Sequence, residues 1–330
     1  MKNFDYYRPE NDRQAAELAG KIKNASFKAG GTDLLPMMKD GLREPDAVVN
    51  LSQIKAMHGI KVDAEAAWIG AATTLGDLAE HSGLQKQASA ITDAAGKTAT
   101  PLVRNKATVG GNLCQRPRCW YFRHPEYQCS KKGGDTCYTM EGENKYHAIF
   151  ENTTCNIVHP SNLAPALWAH DAKLHIKPPT GDQKTTSIAD FWILPEEDMS
   201  TEIALNKGEL LTGVHVPLSK KGQGSAYIEV REKDSYDWAM VATAARIDLD
   251  GKKVKDLRII AAAVAPVPLR MEEAEKVLRG KTFTEELAWK AGTAATADAT
   301  PLRDNGYKVR MLRACVAHAL IKAHTRAERS

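Results

Sequence analysis

The chain has 330 residues, 43% hydrophobic and 26% charged, with 23 Gly and 15 Pro, which excludes a disordered, collagen-like or low-complexity chain. At roughly 100–200 residues per domain, two or three domains are expected, each long enough to bury a core. Its 45 basic and 41 acidic residues leave a net charge of +4, too even for a nucleic-acid binder, and no segment approaches the ~18 apolar residues that span a bilayer.

The N-terminal MKNFDYYRPENDRQ is polar and has no apolar signal core. Folding in the cytoplasm is therefore expected, with periplasmic export only alongside a partner that carries a signal. Residues 14–23 place Ala15, Leu18, Ala19 and Ile22 on one helical face. Ser26-Phe27-Lys28 is a short strand, Ala29-Gly30-Gly31 a turn, and Thr32 or Asp33 the cap of a second helix. Residues 46–50 and 67–71 are strand-like; residues 74–81 and 91–98 are helical. Residues 104–112 form a loop ending in Gly110-Gly111. From Cys114 to Cys155 the chain has no sustained period of 2 or 3.6. An excursion of that length inside a domain needs something to order it, and a bound metal cluster would serve. Residues 163–170 are helical and 173–176 a strand; residues 178–184 are rich in turn formers. Residues 188–194 and 210–216 lead to a polar linker at 218–224. Three strand-like runs follow at 226–230, 240–249 and 254–264, with Asp250-Gly251 as a hairpin turn between the last two. Helical segments at 271–278, 284–297 and 304–325 close a separate α+β unit. There is no internal repeat.

Two glycine pairs carry the first chemical signal. Glycine permits positive φ and lets backbone amides approach an anion, and a helix N-terminus adds partial positive charge. Neither pair is a GxGxxG or P-loop pattern, so each also reads as a plain turn. The second signal is cysteine. Five of the 6 Cys (Cys114, Cys119, Cys129, Cys137 and Cys155) are clustered, and Cys315 sits alone in a helix as a small apolar residue. With no secretory signal, a metal site is a better reading than disulfides. The intervals enclose 9, 7 and 17 residues from Cys119 onward, which matches neither a CxxC zinc ribbon nor the compact ferredoxin run. Zinc and a cubane iron–sulfur cluster both stay open. Trp120, Tyr121, Phe122, Tyr127 and Tyr138 would exclude water around a redox cluster, and would equally suit a packed loop. Of the 10 His, only His124, His147 and His159 lie near this cluster.

The segments Ala29-Gly30-Gly31-Thr32-Asp33-Leu34, Ala107-Thr108-Val109-Gly110-Gly111-Asn112 and His159-Pro160-Ser161-Asn162-Leu163-Ala164-Pro165 resemble the FAD-binding subunit of the molybdenum hydroxylase family. That family includes xanthine dehydrogenases, carbon monoxide dehydrogenase and aldehyde oxidoreductases. The resemblance covers nearly the whole chain, including Ser235-Tyr236-Asp237-Trp238-Ala239-Met240-Val241. The cysteine pattern is similar to a minority branch whose flavin subunit also holds a [4Fe–4S] cluster. Periplasmic aldehyde oxidoreductase flavin subunits and 4-hydroxybenzoyl-CoA reductase β subunits belong to it.

This resemblance implies an α+β architecture. Residues 1–220 would form a two-subdomain FAD-binding region of the PCMH type, with a cysteine-rich insert at about 114–158. Residues 225–330 would form a C-terminal α+β domain with a three-stranded antiparallel sheet and helices. It implies that Ser26, Phe27, Lys28, Ala29, Gly30, Gly31, Thr32, Asp33 and Leu34 wrap the FAD pyrophosphate. Thr108, Gly110, Gly111 and Asn112 would hold the other side of the dinucleotide. Asn162 stands where relatives often have Asp near the cofactor, and Arg270 where some present a cation to the flavin. The cluster ligands would be Cys119, Cys129, Cys137 and Cys155, the last as in the aldehyde-type subunits, leaving Cys114 as an extra thiol.

By the same resemblance the chain is an electron-transfer subunit of an oxidoreductase of aldehyde or xanthine dehydrogenase type. It would pass electrons from a small [2Fe–2S] partner, through FAD, to an external acceptor. Substrate oxidation would belong to a large molybdopterin-binding subunit, in a heterotrimer or a dimer of heterotrimers. Neither nucleic acid nor a membrane is expected as a partner. The rival from another class is a non-redox, zinc-stabilised binding or scaffold module with the glycine pairs as turns. A stand-alone oxidase with covalent flavin is disfavoured, because the first glycine loop has no His or Cys for attachment.

Overall fold

The structure is a computed structural model that describes residues 1–218, 221–234 and 236–330. Residues 219–220 of the expected linker and Ser235 lie outside the described residues.

The described residues form three sheets. The first contains β1 (Asp5–Tyr7), β2 (Ala25–Lys28) and β3 (Ala47–Asn50), all parallel, in the order β1-β3-β2. The middle strand β3 is buried along its length, as a parallel strand covered on both faces must be. Helix α1 (Asp12–Lys21) starts where Asn11 accepts a hydrogen bond from the Gln14 amide, and it buries Ala15, Ala16 and Ala19. Helix α2 (Leu34–Lys39) follows the first glycine pair.

The second sheet is antiparallel, with β4 (Ile60–Val62), β5 (Ala66–Gly70), β6 (Lys173–Lys177), β7 (Lys184–Ser187) and β8 (Leu210–Pro217) in the order β4-β5-β8-β6-β7. Between β5 and β6 come α3 (Leu75–Glu80), α4 (Ser82–Gln87), α5 (Ser89–Lys97), α6 (Pro101–Arg104) and α7 (Val109–Leu113), then α8 (Trp120–Arg123) and α9 (Leu163–Ala169). Thr74 caps α3 by accepting from the Asp77 amide, as its position predicts. The second glycine pair is not a loop: Gly110 and Gly111 lie in the first turn of α7. The Thr108 hydroxyl caps that turn, and Val109 and Leu113 anchor it in the core. Those contacts outweigh the helix penalty of about 1 kcal/mol per glycine. Residues 114–158 hold little regular structure beyond α8, one 3-10 turn (Ser130–Lys132) and a bridge from Cys129 to Thr136.

The C-terminal sheet has four strands, not the expected three: β9 (Gln223–Val230), β10 (Val241–Asp250), β11 (Lys253–Ala262) and β12 (Leu269–Arg270), in the order β12-β11-β10-β9. Strand β12 pairs only Ile260 with Arg270 and Ala261 with Leu269, too few residues for an alternating pattern to register. Gly251, with φ +59°, makes the expected hairpin turn between β10 and β11. Helices α10 (Glu272–Leu278), α11 (Glu285–Ala294) and α12 (Tyr307–Glu328) follow.

Ala242 and Ala244 on one face of β10 join the core of the first two sheets, while Val241, Ala245 and Ile247 join a second core with α12. Both faces of this sheet are therefore covered. Across the junction the Ser89 hydroxyl donates to the Ser225 carbonyl (2.7 Å), and Arg326 pairs with Asp93 (2.7 Å).

Candidate functional site

The largest cavity among those described, about 510 Å³, lies between the first two sheets. Its volume falls in the ordinary range for small-molecule sites, roughly 300–1,000 Å³. Every residue from Ser26 to Leu34 lines it, as do Thr108, Gly110 and Gly111 of the second pair. Strand β2 delivers the chain to this rim, and Gly31 turns it back with φ +76°. Gly30 packs directly on the backbone of Lys106, where a Cβ would overlap the carbonyl oxygen. The two glycine segments thus meet backbone to backbone. Among the described residues, no group accepts a hydrogen bond from the Gly30, Gly31 or Thr32 amide. Lys28, Arg43 and Arg116 also line the cavity. Burial, and then the neighbouring Arg116 charge, pull the Arg43 guanidinium below its ordinary pKa, so it faces the cavity as an under-compensated cation. Free amides and cations at one rim suit a pyrophosphate.

Asp33 does not cap its own helix. Its carboxylate accepts from the Arg116 amide (2.9 Å) and pairs with Arg118 (2.8 Å) and Arg123 (2.8 Å) of the cysteine-rich stretch. These three donors outcompete a single helix amide. Burial pushes the Arg118 guanidinium down to about 10, with Asp33 opposing the shift, and Arg118 stacks on Trp238 at 4.3 Å. A second anchor is buried: Glu202 pairs with Lys131 (2.6 Å) and with Arg116 (2.7 Å).

Cys119, Cys129, Cys137 and Cys155 line one small chamber of about 20 Å³ together with Tyr121, Phe122 and Tyr138. Burial raises the Cys119 thiol to about 12 and the Cys155 thiol to about 11. His147 Nε2 lies 3.2 Å from the Cys119 sulfur, and the Thr139 hydroxyl 3.1 Å from that of Cys137. Among the described residues, no group of three or more His, Cys, Asp or Glu stands close enough to hold one metal ion. Four donors on a single zinc would have to stand so. A cubane instead takes each thiolate on a different iron at a separate corner, so its ligands spread wider. Four thiols within an aromatic surround are donors of the kind such a cluster takes. Met37 of α2, on the rim of the large cavity, packs on Phe122 and Cys129, so chamber and cavity share a wall.

Residues 2–219 match the family described as FAD binding domain in molybdopterin dehydrogenase, and residues 225–327 match CO dehydrogenase flavoprotein C-terminal domain. The chain belongs to the FAD-binding medium subunits of the molybdenum hydroxylase family. As a medium subunit it is 32% identical to the aldehyde oxidoreductase FAD-binding subunit PaoB of Escherichia coli, over 99% of this chain and 100% of that one. It is 29% identical to the carbon monoxide dehydrogenase medium chain of Hydrogenophaga pseudoflava, over 98% of each. Among solved structures, a carbon monoxide dehydrogenase from that organism superposes with a TM-score of 0.77 at 28% identity, covering 98% of both chains. The medium subunit is thus an FAD-binding oxidoreductase component.

Not every residue expected at the site of this medium subunit faces the cavity. Asn112 is buried and turned away: its side-chain oxygen accepts from Ser161 (2.6 Å) and the Leu163 amide (3.2 Å). Asn162 lines a separate cavity of about 30 Å³ with Arg118, His159, Tyr227 and Trp238. There it donates to Tyr227 (3.1 Å) and Glu229 (2.7 Å). Burial raises the Glu229 carboxyl despite Arg231 beside it. Arg270 is paired with Glu275 (2.7 Å) and lines none of these cavities. Cys114 lines the large cavity rather than the chamber, and burial raises its thiol to about 12. Sequence reasoning missed Arg43, Arg116, Arg118 and Glu202. The cluster Arg116-Pro117-Arg118 within an aromatic-rich stretch was the available signal for two of them. No described helix is long and apolar enough to cross a membrane.

Proposed function

We propose that this medium subunit carries electrons in an aldehyde or xanthine dehydrogenase-type complex, with FAD in the large cavity and a [4Fe–4S] cluster on Cys119, Cys129, Cys137 and Cys155. When bound, these groups supply the redox chemistry, passing electrons from a partner iron–sulfur subunit through FAD to an external acceptor. The protein's part is to bind, orient and shield. The Gly30, Gly31 and Thr32 amides donate to the pyrophosphate, while Ser26, Phe27, Lys28, Ala29, Asp33 and Leu34 shape that wall. Thr108, Gly110 and Gly111 form the facing wall, and Asn112 holds it in place through Ser161 and Leu163. Asn162 keeps the junction with β9 polar through Tyr227 and Glu229. Tyr121, Phe122 and Tyr138 keep water from the thiols, and a cluster held there would displace the protons that burial retains on Cys119 and Cys155.

The convergence of four thiols on a chamber that shares a wall with the glycine cavity carries this reading. The scaffold alternative does not survive membership in an oxidoreductase family. The partners would be a large molybdopterin-binding subunit and a small [2Fe–2S] subunit, in a heterotrimer or its dimer. The two family matches support a division into residues 1–220 and 225–330. The cytoplasm is the proposed compartment, with co-export beside a signal-bearing partner as the route to the periplasm. Anaerobic purification followed by stepwise reduction, watched by visible and paramagnetic resonance spectroscopy, tests the assignment. Flavin bleaching together with a reduced-cluster signal supports it; a colourless protein with bound zinc refutes it.

A further inference from the structure

Asp33 sits between the two proposed cofactor sites and is spent on neither cap nor cavity amide. Its backbone continues the Gly30-Gly31-Thr32 rim, while its carboxylate holds Arg118 and Arg123 at 2.8 Å each and the Arg116 amide at 2.9 Å. Arg118 immediately precedes Cys119, and Arg123 ends the helical turn that starts after it. All three side chains are mostly sheltered, at 17% exposure for Asp33, 22% for Arg118 and 17% for Arg123. Among the described residues, Asp33 is the carboxylate that both arginines pair with. A parallel apolar link runs from Met37 of α2 to Phe122 and Cys129.

We infer that Asp33 is a positioning residue that couples the two sites, so that filling the cysteine chamber tightens FAD binding and bound FAD tightens the hold on the cluster. The inference rests on the cofactor assignments proposed above. A cluster fixes Cys119 and Cys129, and with them the stretch between. Arg118 and Arg123 then hold Asp33, and Asp33 holds the Gly31–Thr32 backbone whose amides face the pyrophosphate. A rim already ordered by one ligand loses less freedom on binding the next. Linkage makes the effect reciprocal: the factor by which iron improves FAD affinity is the factor by which FAD improves cluster affinity.

The test uses the full chain under anaerobic conditions. FAD dissociation constants are measured by flavin fluorescence for iron-loaded and iron-depleted protein, and the iron retained against a competing chelator at equilibrium is measured with and without FAD. Wild-type protein should bind FAD roughly 5- to 150-fold more tightly when loaded, the usual span of coupling between two sites. In Asp33→Asn, whatever the absolute affinities become, that factor should fall to about 1 and iron retention should be indifferent to FAD. If Asp33→Asn does not fold, Arg123→Gln removes one of the two links and should shrink the factor. A wild-type factor of 1, or an unchanged factor in the variant that is measured, overturns the inference. Wild-type protein that binds neither FAD nor iron refutes the cofactor assignment instead; independent binding of both refutes only the coupling.

Discussion

Replacing Glu202 by Gln tests how the cysteine-rich stretch is held to the rest of the fold. The Glu202 and Lys131 side chains are 3% and 1% exposed, and their charged atoms stand 2.6 Å apart. At an effective dielectric of about 20, that separation corresponds to an attraction of ~6 kcal/mol, part of which offsets desolvation. Glutamine keeps the shape and one acceptor oxygen but removes the charge, leaving the Lys131 ammonium buried among neutral acceptors, the new amide oxygen and the Met199 carbonyl. Breaking a buried pair in this way costs about 3–5 kcal/mol. For a unit of roughly 200 residues, each kcal/mol lowers Tm by about 2–4 °C, so a loss near 3 kcal/mol lowers it by about 6–12 °C. The control is Glu232→Gln, whose partner Lys145 is 48% exposed, with 40% for Glu232. Such a surface pair contributes about 0–1 kcal/mol. Differential scanning calorimetry of both variants compares burial against exposure directly. Equal shifts, or a Glu202→Gln shift below about 2 °C, would refute the claim that burial makes this anchor strong.

Cys137→Ala should abolish iron and acid-labile sulfide while the protein still takes up FAD, though more weakly; elemental analysis showing wild-type iron rejects the ligand assignment. Gly31→Val places a branched side chain at φ +76°, 2.9 Å from Leu35, and should leave the purified protein largely without FAD; wild-type flavin content after acid extraction counts against the rim. Burial lowers the His159 and His170 imidazoles to about 3 each, with the Arg246 charge adding to the effect at His170. Their folded pKa lies below the ordinary 6.5, so the unfolded chain binds protons first and stability is lost as pH falls below about 6.5. Between pH 6.5 and 5, above the carboxylate range, two such groups give a slope approaching ~2.7 kcal/mol per pH unit. Urea unfolding at several pH values should show His170→Gln with a shallower slope; an unchanged slope removes His170 from the account.

Local chemistry was legible in the sequence where it acts over a few residues. The Thr74 cap, the Asp250-Gly251 turn and the apolar stripe of α1 all follow from neighbours in sequence. The two glycine segments were recognisable, yet their contact at Gly30 and Lys106 depends on folding across more than seventy residues. Asp33 looked like a cap because its helix begins beside it; its true partners lie 83 to 90 positions away. Asn112 and Asn162 looked like cofactor contacts because they flank such segments, but buried hydrogen-bond networks claim their side chains. Cysteine spacing could name candidate ligands and could not bring them together. That required Glu202 and Asp33, from distant loops, to pair with basic residues of a stretch that has almost no regular structure of its own.

The most direct test is the joint content of iron, acid-labile sulfide and FAD per chain in protein purified without oxygen. Each chain should carry about four irons, about four sulfides and about one FAD. Stoichiometric zinc with no sulfide, or iron that persists after Cys119, Cys129, Cys137 and Cys155 are all replaced, would contradict this assignment.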